Sequence, residues 1–86
     1  MRSDLNRRKS NVILRRALEN AIPHIQNILW INKLVEKFLE EDASIERTKL
    51  FLKEMYNSID DPTKRVDLKI LLMYIEEAEK RWSEIG

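Results

Sequence analysis

The chain has 86 residues, of which 36% are charged and 43% hydrophobic, and its formal net charge is only +1. This composition is typical of a chain that folds, and a chain of this length can bury only about 60–65% of its extended surface. The sequence contains no run of eighteen or more apolar residues, which argues against a membrane-spanning helix. We therefore expect a single domain over residues 1–86.

Cysteine is absent, and the only glycine is Gly86. The lack of cysteine excludes disulfides, thiol chemistry and cysteine-based metal sites, and it is typical of a reducing compartment, so we expect a cytoplasmic protein. The lack of interior glycine excludes the loops that hold phosphate in nucleotide-binding folds. His24 is the only histidine, so a zinc site with two imidazoles cannot form. We predict no metal, no cofactor and no small-molecule ligand.

Few residues interrupt the hydrophobic pattern, which predicts an almost entirely helical chain. Pro23 and Pro62 are the only prolines, and the sequence has neither a period-two alternation nor an Asn-Gly or Asp-Gly hairpin turn. Strands are therefore not expected.

Helices 1 and 2 are expected on either side of Pro23. Helix 1 begins near Ser3 or Asp4, which can cap free backbone N–H groups, and it runs to about Ala21. Proline disfavours helical geometry at the residue before it. Helix 2, from Pro23 to Glu40, is therefore separate from helix 1 or joined to it through a kink, and we favour a separation.

Helices 3 and 4 are expected from about Ala43 to Ser58 and from Pro62 to about residue 85. Asp42 or Ser44 can cap helix 3, and Asp61 followed by Pro62 is a typical start for helix 4. Short connections place consecutive helices antiparallel. The predicted fold is all-α, a compact up-and-down bundle of four helices with the first two separated or kinked at Pro23.

Positive charge is concentrated at the start of the chain. Residues 1–16 carry six basic side chains against one acidic side chain, a net charge of +5, whereas the rest carry ten basic and fourteen acidic, a net charge of −4. Residues 1–8 are expected as the first turns of helix 1 or as a flexible basic start. The helical pattern places most of these basic side chains opposite the buried stripe of helix 1.

This basic face has two interpretations. It is either a solvated helix face or a patch that binds a polyanion, such as nucleic-acid phosphate, an acidic protein or anionic lipid. Direct nucleic-acid binding is the weaker form of the second interpretation, because no recognition signature is present and no aromatic side chain lies among the basic ones for base stacking. The polyanion-binding candidates are Arg7, Arg8, Lys9, Arg15 and Arg16.

A second candidate surface is apolar. Val66, Ile70 and Met73 follow the i, i+4, i+7 spacing of one helix face, away from the main apolar stripe of helix 4, and Leu50 faces away from the stripe of helix 3. These residues either form a surface strip that a partner covers, or they pack against helix 1. We take Leu50, Val66, Ile70 and Met73 as partner-interface candidates.

The sequence favours a small non-enzymatic interaction protein, an accessory subunit or adaptor. It would bind a partner protein or form a homo-oligomer, with the basic helix 1 facing a polyanion. A direct, sequence-nonspecific nucleic-acid-binding protein is the alternative. A small helical enzyme acting on an anionic substrate is a third possibility, but nearly every charge falls opposite an apolar stripe and no catalytic residue can be named.

Overall fold

The computed structural model describes the backbone of residues 2–85 and the side chains of residues 9–83. Within these residues the chain forms four α-helices, one short 3₁₀ turn and no strand, which confirms the predicted all-α four-helix bundle. The predicted alternative of a flexible start concerns residues 1–8, whose side chains lie outside the described part. The helices are α1 (Arg2–Ala21), α2 (Ile28–Glu40), α3 (Ile45–Ser58) and α4 (Pro62–Ile85), with the 3₁₀ turn at Ile22–His24.

The helix α4 packs mainly against α1 and also against α3. Near the start of α1, Lys9 shares a surface hollow with Glu79. Just after the end of α1, the ring of His24 stacks on Tyr74 with 5.9 Å between the ring centroids. The two helices therefore run antiparallel.

The helix α3 is also antiparallel to α4. Lys49 near the start of α3 bonds to Glu79 near the end of α4, and Tyr56 near the end of α3 lies under Arg65 near the start of α4. The up-and-down arrangement gives a body with extents of 40 × 23 × 20 Å.

All four helices contribute apolar side chains to one core. Burying each large apolar side chain stabilises the fold by about 1.5–3 kcal/mol, and this burial is what offsets the entropy of ordering the helices. Among the described residues, no helix combines the length and the hydropathy that crossing a bilayer requires. The buried apolar residues are Ile13, Leu14, Ala17, Ala21, Ile25, Ile31, Val35, Phe38, Ile45, Leu52, Leu68, Leu71, Leu72, Ile75 and Ala78.

The corner between α1 and α2 is longer than the sequence predicts. The helices are separate, as favoured, but α2 begins at Ile28 and not at Pro23. Pro23 lies inside the 3₁₀ turn, and Ile25 has an extended backbone with φ −99° and ψ 135°. The chain leaves helical geometry here because the next two backbone amides bond elsewhere.

Those amides bond to a buried carboxylate of α4. The backbone N–H groups of Gln26 and Asn27 donate to Oδ1 and Oδ2 of Asp67 at 3.0 and 2.8 Å, and the side-chain amide of Asn27 donates to the same Oδ2 at 2.8 Å. Asp67 is fully buried. Hydrogen bonds to a charged group contribute about 1.5–3 kcal/mol each, so this carboxylate ties the corner to α4.

The two later corners have local caps, as predicted. Ser44 Oγ accepts from the Arg47 amide at 3.2 Å at the start of α3. Asp61 Oδ1 accepts from the backbone N–H and the hydroxyl of Thr63 at 2.9 and 2.7 Å at the start of α4. The hydrogen bond from the Thr63 hydroxyl, together with the backbone N–H bonds, lowers the pKa of Asp61 below its ordinary value.

Candidate interaction surfaces

The described part of the basic face on α1 is small. Arg15 and Arg16 are both exposed, and neither forms an ion pair with another described side chain. Val12 and Glu19 are exposed on the same side of the helix, and Glu19 follows the two arginines by four and three positions, where side chains of a helix are neighbours. One carboxylate therefore offsets part of the positive charge.

Lys9 stands apart from these arginines. It is half-buried and lines a hollow of about 160 Å³ together with two carboxylate side chains, Glu46 and Glu79. Of the five polyanion-binding candidates, the structure thus places Arg15 and Arg16 on an open surface and Lys9 beside acidic groups. The side chains of Arg7 and Arg8 lie outside the described residues.

Three of the four partner-interface candidates are well exposed. Leu50 and Met73 are each 59% exposed and Val66 is 53% exposed, whereas Ile70 packs partly against the core. Leu50, Val66 and Met73 are therefore not packed against α1, and only Ile70 is partly covered by the core. Exposed leucine and methionine side chains leave apolar surface in water that a partner can cover.

Other apolar side chains are exposed that sequence reasoning did not select. Leu29 is 78% exposed at the start of α2, and Ile28 beside it is 41% exposed. Phe51 is partly exposed and packs edge-on against Phe38 with 5.3 Å between the ring centroids.

A shallow hollow of about 400 Å³ lies between α3 and α4. Lys53, Tyr56 and Asn57 of α3 and Lys69 and Leu72 of α4 line it. The lining thus combines two lysines, a tyrosine and an asparagine with the apolar side chain of Leu72. Sequence reasoning missed this hollow, because the lysines are sixteen residues apart on different helices and the pattern does not say which helix faces meet.

Two contacts near this hollow connect α3 to α4, one cation–π contact and one ion pair. The guanidinium of Arg65 lies 4.8 Å from the ring centroid of Tyr56, a cation–π distance. Further along the same pair of helices, Lys49 Nζ donates to Glu79 Oε1 at 2.6 Å. That hydrogen bond raises the pKa of Lys49 above its ordinary value, opposed in part by burial. Lys49 is therefore an ammonium ion and not a nucleophile at neutral pH.

A third hollow lies where α2 meets the start of α3. Its volume is about 210 Å³, and its lining mixes apolar and aromatic side chains with charges of both signs. The charged residues are Lys37, Glu41 and Arg47. Since both signs are present at its rim, this hollow has no clear preference for a charged ligand.

The described residues 9–83 bring no three acidic, histidine or cysteine side chains together in a way that could hold a metal ion. Comparisons with protein-family models, curated proteins and solved structures give no significant match. The class of protein is therefore defined by its fold alone, a small all-α four-helix bundle. Its function has to be argued from its surfaces.

Proposed function

We propose that this protein is a non-enzymatic interaction module, an accessory subunit or adaptor that binds a partner protein through α3 and α4. The observation that carries the proposal is the exposure of Leu50 and Met73, each 59% exposed on neighbouring helices whose inward faces already fill the core. Apolar side chains that the fold does not need for its own stability are typical of an interface. A cytoplasmic location is part of the proposal and is a prediction from the cysteine-free sequence.

The charged groups support a binding role over catalysis. The closest ion pair in the described part, between Lys49 and Glu79, joins two helices and is already satisfied. The buried carboxylate of Asp67 has three hydrogen-bond donors around it and holds the corner between α1 and α2. These groups have structural partners, and a catalytic acid or base needs to reach a substrate.

The experiment compares co-purification from the native source with the wild type and with the double variant Leu50→Gln/Met73→Gln. The matched control is Val12→Gln/Leu29→Gln, which replaces two exposed apolar residues on α1 and α2. We expect a partner that is lost with the α3–α4 variant and retained with the control. Retention by both variants would contradict the proposal, as would the absence of any stoichiometric partner or self-association in sedimentation velocity.

Nucleic-acid binding through α1 is the second candidate. The observation in its favour is that Arg15 and Arg16 are exposed without an ion pair to a described side chain. A gel-shift series with DNA and RNA at increasing salt tests it, because the affinity of a phosphate-binding protein falls with salt in proportion to the counterions released. Binding at low salt that Arg15→Glu/Arg16→Glu abolishes would favour this candidate.

A further inference from the structure

We propose that the hollow between α3 and α4 is a docking groove for an acidic amphipathic helix of a partner protein. The proposal rests on the proposed function, and it adds the place of the partner and its chemistry. Four described features carry it: the charge of the lining, the apolar side chains beside it, the antiparallel direction of the two helices, and the state of its one aromatic ring.

The lining of this groove is positive and contains no acidic residue. Lys53 and Lys69 are both exposed and stand on opposite helices. The hollow at the start of α1 carries two carboxylates beside its one lysine, and the hollow between α2 and α3 carries Glu41 beside its two basic groups. The α3–α4 groove is also the largest of the three, at about 400 Å³ against 210 and 160 Å³. Charge complementarity therefore selects an acidic occupant.

Exposed apolar residues continue the groove in one direction. Leu50 precedes Lys53 by three residues, and Met73 follows Lys69 by four, so each lies one helical turn from its lysine on the same side of its helix. Since α3 and α4 are antiparallel, both steps lead towards the Lys49–Glu79 ion pair. The surface thus presents two ammonium groups at one level and two apolar side chains about one turn away. The exposed Glu76, whose charge acts on Lys49, lies at the apolar level, so the acidic residues of a partner belong opposite the two lysines and not beside Leu50 and Met73.

This spacing matches a helix that carries both kinds of side chain. One turn of helix advances about 5.4 Å, so a partner helix can place carboxylates against Lys53 and Lys69 while its leucine-like side chains, three or four residues on, contact Leu50 and Met73. The largely buried Leu72 adds an apolar side chain to the lining that contains the two lysines. An acidic segment without apolar residues would leave the apolar part uncovered.

The groove fits a single-stranded nucleic acid poorly. Base stacking needs an open aromatic face. Tyr56 is the only aromatic residue in the lining, it is half-buried, and the Arg65 guanidinium already lies over its ring. A phosphate backbone would also pass over Leu50 and Met73 without a polar contact. The observations therefore favour a protein partner.

The test uses a displayed library of 16-residue peptides with helix-favouring frames and randomised faces, selected against the full chain. We expect the enriched peptides to carry acidic residues one turn from apolar ones. Lys53→Glu/Lys69→Glu should weaken their binding at least about tenfold, and the weakening should decline with added salt because the charges are exposed. The matched control is Arg15→Glu/Arg16→Glu, which makes the same charge change on α1 and should bind as the wild type does.

A charge exchange separates a direct contact from loss of fold. Peptides in which lysine replaces the acidic residues should bind Lys53→Glu/Lys69→Glu better than they bind the wild type. Amide shift changes in the wild-type complex should centre on Leu50, Lys53, Lys69 and Met73. A circular dichroism melt of each variant confirms that it folds.

Three results would overturn the proposal that this groove binds an acidic helix. These are enrichment of peptides without acidic residues, binding that the lysine reversals leave unchanged, and the absence of any enriched peptide. The proposed function is judged separately, because co-purification of a partner that depends on Leu50 and Met73 but not on the lysines would retain the interaction module and reject its acidic partner.

Discussion

Two corners of the bundle turn the chain by different means. The corner before α4 is local, since Asp61 accepts from Thr63 two residues later. The corner before α2 is held over a distance of 40 residues, since the amides of Gln26 and Asn27 donate to Asp67. The corner before α4 is set by residues that adjoin it, whereas the corner before α2, the first in the chain, depends on the packing of α4.

This difference separates local from tertiary control of helix boundaries. A local cap can form as soon as its own segment becomes helical, and its exposed groups exchange easily with water. A buried carboxylate that collects amides from another part of the chain forms only when the bundle closes, and it leaves unsatisfied groups when it is removed. Four substitutions test the comparison, from the largest expected effect to the smallest.

Asp67→Ala should cause the largest loss of stability. It removes the acceptor of three hydrogen bonds and leaves two backbone N–H groups without a partner, so we expect the free energy of unfolding to fall by about 3 kcal/mol or more. Urea denaturation measures this change in the free energy of unfolding. The control is Asp60→Ala, which removes an exposed carboxylate in the preceding turn and should change stability little. A loss below about 1 kcal/mol for Asp67→Ala would mean that the corner does not depend on this carboxylate.

Lys49→Met removes the long-range ion pair with Glu79, which is less buried than the contacts of Asp67. The side chains of Lys49 and Glu79 are 26% and 25% exposed, and we expect a loss of about 1 kcal/mol at neutral pH. The control is Arg81→Met, which breaks the local and more exposed Glu77–Arg81 pair at 3.0 Å and should cost less than about 0.5 kcal/mol. Equal losses would show that sequence distance and burial do not matter here.

The same ion pair has a defined pH dependence. The pKa of Lys49 is raised in the fold, mainly by its hydrogen bond to Glu79, so its contribution is fully present below the ordinary lysine value of about 10.4 and is lost as the pH rises through the folded value. The stability difference between the wild type and Lys49→Met should be constant from pH 7 to pH 9 and shrink above that range. A difference that grows at high pH would contradict the pairing.

Asp61→Ala should reduce stability by less than Asp67→Ala, because the lost cap is exposed and water can replace it. Its pKa is lowered in the fold, first by the hydrogen bond from Thr63. The contribution of a carboxylate with a lowered pKa is present above its ordinary value and is lost as the pH falls through the folded value. Urea midpoints at pH 6 and pH 2.5 should therefore show a gap between wild type and variant that narrows in acid.

Pro23→Ala should have the smallest effect. Proline here restricts the unfolded chain, which accounts for about 0.4–1 kcal/mol at most, and the corner keeps its hydrogen bonds to Asp67. Circular dichroism should show an unchanged helical content. A gain of helix through residues 22–27 would instead show that Pro23 itself ends α1.

The four helices and two of their starts follow from local patterns. The apolar spacing predicts each helix. The sequence offers Asp42 or Ser44 as the cap of α3 and Asp61 as the cap of α4, and the structure has Ser44 and Asp61 in these roles. These caps are predictable because a cap lies within three residues of the amide it binds. The predicted start of α2, at Pro23, was wrong by five residues, because α2 begins at Ile28. The difference is caused by Asp67, which accepts from the amides of Gln26 and Asn27. The burial and the partners of Asp67 depend on how α4 packs, and no residue near Pro23 indicates this contact.

The exposed surfaces, like the helix boundaries, could be predicted only in part. The helical spacing predicts that Val66 and Met73 face away from the main stripe, and they are exposed. Ile70 is partly covered, because helix packing and not spacing decides the edge of a buried face. The α3–α4 groove was missed for the same reason, since Lys53 and Lys69 share a surface only after the two helices pair.

The dependence of the first corner on Asp67 bears on the order in which the protein can fold during synthesis. When the first sixty residues have left the ribosome, α1 lacks its main packing partner and the amides of Gln26 and Asn27 have no acceptor. The nascent chain then holds helices without a closed core. The native topology is completed only when α4 emerges, because a chain that stops before Asp67 lacks both the main packing partner of α1 and the acceptor for these two amides.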